Sequence, residues 1–278
     1  MPEGDTIAWA ANRIRPVLEG RVPDEILTPH PRFARDRWPE RLGGRVVSSV
    51  DTLGKHLFIR FGPLAVQARQ DRADRMSSGC FEGDLVIHSH LGMTGIWGVY
   101  GPDRRWARSR SRAWLVLRRG EVEVVEFDGP TLELVTEGRT RFDQRLAALG
   151  PDVLGASFDA ERFLRLLRSD DPTRPIGDAL LDQRTVAGIG NIWKAEGCWE
   201  AALDPWRPVV DVSDAEALAV IEAVRPRMLR SAVEGPRAIE ARVYRRAGRP
   251  CPRCGTAIVA RGQGDANRTT YWCPGCQR

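Results

Sequence analysis

Two groups of residues in this 278-residue chain have the types and spacing for chemistry, and they lie at opposite ends. Near the C-terminus, Cys251-Pro252-Arg253-Cys254 and Cys273-Pro274-Gly275-Cys276 form two C-x2-C pairs separated by 18 residues. Two close pairs across a hairpin set four thiolates tetrahedrally, the donor set and spacing of a zinc ribbon. Four thiolates fill the coordination shell, so one structural zinc ion is expected and no metal-based catalysis. Strands are predicted over 256–260 and 269–272, with the turn at 262–265 and Arg268 presented by the second strand.

At the other end stands Met1-Pro2-Glu3-Gly4. Removal of Met1 leaves Pro2 as a terminal secondary amine. A terminal amine has a pKa near ~8, against ~10.4 for lysine, so near neutral pH it is the more available nucleophile. A third feature is Ala187-Gly188-Ile189-Gly190-Asn191, just ahead of a helix predicted from Ile192. Glycines allow close backbone approach, and free N–H groups at a helix N-terminus suit an anion such as phosphate. A plain tight turn between two packed helices explains the same residues.

The elements that must position these groups follow from periodicity. Ile7, Ala10, Ala11, Ile14, Val17 and Leu18 recur at helical spacing, with Asp5 or Thr6 as cap and Gly20 as stop. Strands are predicted over 45–50, 57–61, 85–87, 114–117 and 122–127, a density that suits a β-sandwich or barrel. Residues 66–84 are polar and read as a long surface loop that also holds Cys80. Helices are predicted over 142–149, 158–167, 176–182, 192–201 and 215–233, the last kinked or broken at Pro226.

Composition sets the partner class. The formal net charge is +5, and of 42 basic residues only Lys55 and Lys194 are lysines. Arginine grips phosphate bidentately, although a GC-rich genome also enriches it. No apolar run reaches the ~18 residues of a membrane span, and no secretory leader pattern is present. A cytoplasmic setting is therefore expected, in which paired cysteines suit metal better than disulfides.

Taken together, Pro2-Glu3-Gly4, Gly54-Lys55-His56-Leu57, His90-Leu91-Gly92-Met93-Thr94-Gly95, Asp182-Gln183 with Gly188-Ile189-Gly190-Asn191, and Asn267-Arg268-Thr269-Thr270 resemble the formamidopyrimidine-DNA glycosylase and endonuclease VIII family. The resemblance spans nearly the whole chain. It implies an α+β multidomain protein: an N-terminal β-sandwich (1–137), a helix–two-turn–helix domain (138–247) and a zinc finger (248–278). It implies a base-excision repair glycosylase and AP lyase acting as a monomer on damaged double-stranded DNA. Pro2 would attack C1′ of an extruded nucleotide, and Glu3 would assist ring opening and move protons. Lys55 would lie beside the phosphates and the reacting sugar, Asn191 and Arg268 would hold the flanking phosphates, and Gln183 would belong to the DNA-binding set. His90 is either a core histidine or part of the DNA-facing loop. Met93 is either core filling or the wedge that replaces the flipped base.

Thr6 departs from the family, which often has a second Glu there. The Arg-Arg-Phe-Gly stretch of the formamidopyrimidine branch is replaced by Glu126-Phe127-Asp128-Gly129-Pro130. That, with Pro2-Glu3-Gly4, points to the endonuclease VIII branch and oxidised pyrimidines; the His90–Gly95 loop points to oxidised purines. A non-catalytic damage sensor and a protein-binding zinc-ribbon adaptor share the zinc feature but do not need the Pro2 amine.

Overall fold

The computed structural model describes residues 2–33, 35–64 and 84–278. The polar segment that includes Cys80 lies outside the described residues but for Asp84. Chain contacts divide the protein into two units, one of Met1–Pro2 and Ile7–Ala147, the other of Glu3–Thr6 and Ala148–Arg278.

The first unit is a β-sandwich. Helix α1 (Gly4–Leu18) leads into β1 (Glu25–Leu27), α2 (Trp38–Leu42), β2 (Arg45–Leu53), β3 (His56–Leu64), β4 (Leu85–His90), β5 (Ile96–Tyr100), β6 (Ala113–Arg119), β7 (Val122–Phe127) and β8 (Thr131–Thr136). The strands form two four-stranded antiparallel sheets, in orders β1-β6-β7-β5 and β2-β3-β4-β8. Leu57, Ile59 and Ile87 from one sheet and Leu115, Leu117 and Val124 from the other bury together, with Ile7, Ala10, Ala11, Ile14 and Leu18 of α1 in the same core. The helical stripe read from the sequence is thus the buried face of α1. Three strands escaped the sequence reading: β1 is three residues long, and β5 and β8 carry glycine or charge that breaks the apolar signal.

Two short helices, α3 (Glu137–Arg141) and α4 (Gln144–Ala147), replace the single helix expected over 142–149. Asp143 interrupts it, because its carboxylate accepts from the Arg145 N–H at 2.8 Å and starts a new turn.

The second unit contains α5 (Ala160–Ser169), α6 (Ile176–Ala179), α7 (Asn191–Glu200), α8 (Asp214–Glu234) and the hairpin of β9 (Val259–Gln263) with β10 (Arg268–Trp272). Phe163, Leu180, Ile189, Trp193, Val220, Val224 and Met228 lie in its core. Ser213 and Glu216 close a capping box at the start of α8. That helix runs unbroken through Pro226. Pro226 and Glu222, whose carbonyl loses its partner, both lie on the exposed side, where water can satisfy the freed group. Among the described residues no helix is long and apolar enough to cross a membrane.

Candidate active site and cysteine cluster

In the second unit the site is built on the N-terminus of α7. Glu3 is 1% exposed, and its carboxylate accepts from the N–H of Ile192 at 2.8 Å, Gly190 at 3.1 Å and Trp193 at 3.2 Å. The anion site read at this helix start therefore holds the chain's own carboxylate, where the helix dipole also favours negative charge. The glycines make room for it. A Cβ on Gly190 would lie 2.6 Å from Glu3 Cγ, and Gly188, at φ +99°, packs on Gly4, whose N–H donates to the Gly188 carbonyl at 2.9 Å. Asp5 serves this anchoring rather than capping: its carboxylate accepts from the buried Ser231 hydroxyl.

Gln183, expected to touch DNA, spends its amide on this loop. Its Nε2 donates to the carbonyls of Leu181 (3.0 Å) and Ile189 (2.9 Å), and its Oε1 accepts from Gly188 N–H (3.0 Å). Asn191 is buried; its Nδ2 donates to the Thr269 carbonyl on β10 at 2.7 Å, and its Oδ1 is a buried acceptor with no protein donor. Arg268 opens β10 and is half-buried. The turn of this hairpin falls at 264–267, later than expected, and Gly262 and Gln263 are strand residues. Gly262 pairs with Thr269 in the strand, and the Asn267 side chain occupies the space a Cβ there would need.

Cys251, Cys254, Cys273 and Cys276 bring their sulfurs within 4.8 Å of one another, with Cys251–Cys276 at 3.8 Å and Cys254–Cys273 at 3.4 Å. Four sulfurs at ~2.3 Å from a tetrahedral zinc stand about 3.8 Å apart, so the set fits a metal ion. Trp199 Nε1 donates to Cys251 Sγ at 3.3 Å, a neighbour that orients the ligand.

The first unit holds the remaining expected residues. Lys55 lies between β2 and β3. In the β3–β4 register His56 faces His90 and Phe58 faces His88. His56 Nδ1 and His88 Nε2 are 2.9 Å apart, and His88 Nδ1 lies 3.6 Å from Glu133. Burial, then the neighbouring His90 and His88, holds His56 down at about 3. Burial likewise lowers His88. His90 is lowered by burial, then by the charges of Lys55 and His88. His90 is therefore neither isolated nor plain core: its Nδ1 accepts from Gly92 N–H at 3.3 Å and shapes the loop after β4. Met93 tops that loop, 62% exposed, which rules out core filling. Thr94 Oγ1 donates to the Asp128 carbonyl at 3.1 Å, tying the loop to the 128–130 turn. Behind it Glu126 is fully buried, and burial pushes its carboxyl up to about 8.

Sequence reasoning missed the contacts of His88, Glu126 and Lys194. For Lys194 a signal existed, the near-absence of lysine.

Residues 1–142 match the formamidopyrimidine-DNA glycosylase N-terminal domain, and residues 149–242 match the H2TH domain of the same proteins. A probable endonuclease 8 2 of Streptomyces coelicolor is 39% identical, over all of this chain and 94% of its own length. The DNA-(apurinic or apyrimidinic site) lyase Nei2 of Mycolicibacterium smegmatis is 35% identical over 100% and 99%. A formamidopyrimidine-DNA glycosylase of Thermus thermophilus is 31% identical over 100% and 98%. In fold, the chain is similar to the Lactococcus lactis formamidopyrimidine-DNA glycosylase crystallised with abasic-site DNA, with a TM-score of 0.78 at 22% identity over the whole of both chains. The chain belongs to the formamidopyrimidine-DNA glycosylase and endonuclease VIII family, on its endonuclease VIII branch.

Proposed function

We infer that this chain is a base-excision repair DNA glycosylase with AP lyase activity. The observation that carries the reading is the buried Glu3 carboxylate, fixed by three N–H groups at the start of α7 and joined by one peptide bond to Pro2. A nucleophilic amine beside a positioned proton carrier is the pairing that Schiff-base chemistry on a sugar needs.

With Met1 removed, the Pro2 nitrogen forms a bond to C1′ of the extruded nucleotide as the C1′–base bond breaks, and the base leaves with a proton. The Glu3 carboxylate takes the proton released from the Pro2 nitrogen and passes it to the ring oxygen, so the sugar opens to an iminium. Loss of the C2′ proton expels the 3′ phosphate, a second elimination expels the 5′ phosphate, and water releases the enzyme. Lys55 sits beside the phosphates and the reacting sugar. Asn191 and Arg268 grip the flanking phosphates. Met93, exposed on a loop that His90 and Thr94 hold in shape, fills the gap left by the base. Gln183 acts on DNA through the loop it braces.

The four thiolates would hold one structural zinc, which supplies rigidity to the β9–β10 hairpin and no open position for chemistry. The hairpin with its cysteines (248–278) and the helices before it (138–247) serve as DNA-holding domains, and 1–137 as the catalytic one. The work belongs in the bacterial cytosol, where the chromosomal DNA is.

Oxidised pyrimidines are the favoured substrates, because Glu126–Pro130 replaces the Arg-Arg-Phe-Gly stretch and the endonuclease 8 2 of Streptomyces coelicolor is more similar than the Thermus formamidopyrimidine-DNA glycosylase. Duplexes each holding one defined oxidised base test this. Faster single-turnover excision of oxidised pyrimidines than of 8-oxoguanine or formamidopyrimidines is expected, and the reverse order would overturn the substrate reading. No cleavage even of an abasic duplex would overturn the enzymatic one.

A further inference from the structure

Lys194 is the fourth residue of α7, three after Asn191, and is fully buried. A buried ammonium carries a large desolvation cost unless its N–H groups are matched by acceptors. Two of its three are matched here: Nζ donates to the Thr270 hydroxyl and to Gln263 Oε1 at 3.1 Å. The Thr270 hydroxyl in turn donates to Gln263 Oε1 at 2.7 Å, and Gln263 Nε2 donates to the Pro205 carbonyl at 2.7 Å. Gly177 leaves the space that the Gln263 amide fills. Thr270 and Gln263 belong to the two strands of the hairpin, so one ammonium clamps both strands onto α7.

The clamp has a definite direction. Residues two apart on a strand share a face, which puts Thr270 on the same face of β10 as Arg268. Between them, Thr269 gives its carbonyl to Asn191 Nδ2 at 2.7 Å. Strand β10 is thus fixed to α7 at two successive residues immediately after Arg268. The same helix holds Glu3 at its N-terminus. An aliphatic residue would fill the volume but fix neither the rotation nor the register of the strand.

We propose that Lys194 is a positioning residue that sets Arg268, through Thr270 and Gln263, at a fixed place relative to the Glu3 cradle, so that the phosphate grip and the proton carrier act on the same nucleotide. This rests on the reading that Arg268 binds a backbone phosphate.

A double-mutant cycle on the full-length, zinc-loaded protein tests it, with affinity measured on a duplex containing a tetrahydrofuran abasic analogue. Arg268→Ala in the wild-type background should weaken binding on the order of tenfold, the value of a charge-assisted phosphate contact. In the Lys194→Met background the same change should cost less than about threefold, since the two residues act as a unit. Thr270→Val breaks the link from the strand side and should reproduce the coupling if Lys194→Met folds poorly, whereas Thr270→Ser, which keeps the hydroxyl, should restore the full Arg268 effect. If Arg268→Ala is costly in every background, Lys194 only stabilises the fold and the proposal fails while the phosphate reading stands. If Arg268→Ala costs nothing in the wild type, the phosphate reading fails and takes the proposal with it.

Discussion

Substituting Gly190 by alanine should disable the enzyme without unfolding it. The new Cβ would stand 2.6 Å from both Cγ and Oε1 of Glu3, well inside contact distance. Glu3 or the start of α7 must then move, and the bonds at 2.8, 3.1 and 3.2 Å cannot all survive. Hydrogen bonds to a charged group contribute roughly 1.5–3 kcal/mol each, so losing one or two displaces the carboxylate rather than merely loosening it. A positioned acid or base contributes about 10²–10⁴-fold to rate, so single-turnover cleavage of an abasic duplex should fall ~100-fold or more, close to the level of Glu3→Gln. Affinity for a tetrahydrofuran duplex should change far less, because the phosphate-gripping side chains remain. Gly138→Ala, where an added Cβ meets nothing within 4 Å, is the matched control and should cleave as the wild type does. A folded Gly190→Ala protein that cleaves at the wild-type rate would refute the claim that this cradle sets Glu3.

Chelation, or Cys254→Ser, should first abolish hydrogen-exchange protection of the β9–β10 hairpin, since structural zinc sites contribute on the order of 10 kcal/mol to folding; unchanged protection in metal-free protein would contradict a structural metal. Acidification should destabilise the first unit. His56 is held at about 3, below its usual 6.5, so between these values the unfolded chain binds a proton that the native one refuses. The stability is whole above pH 6.5 and is lost as pH falls, by roughly 2 kcal/mol from pH 6.5 to 5 for this one residue. His56→Phe should flatten that slope in denaturant titrations, and an unaltered slope would place the acid sensitivity elsewhere.

The cysteine pairs and the α1 stripe were legible because their signals are local: fixed spacing in one case, helical periodicity in the other. The hairpin turn was misplaced because Gly262 looks like a turn residue until the Asn267 side chain is seen filling its empty side. The break allowed for at Pro226 does not occur, because Glu222 and Pro226 lie on the exposed side of α8, where water can satisfy the freed carbonyl. The Glu3 cradle joins residue 3 to residues 190–193, a pairing that no window of sequence contains. The bonds of Gln183 escape the sequence for the same reason, since its partners are backbone groups that only the folded loop brings within reach. Lys194 announced itself only by being a lysine, and its clamp on Thr270 and Gln263 required the fold.

The measurement that bears most directly on the chemistry is borohydride reduction during turnover on an abasic duplex, followed by peptide mapping of the adduct. A single covalent cross-link at the Pro2 nitrogen, absent in Pro2→Ala, is the predicted result. A cross-link on a lysine, or one that persists undiminished in Pro2→Ala, would contradict it.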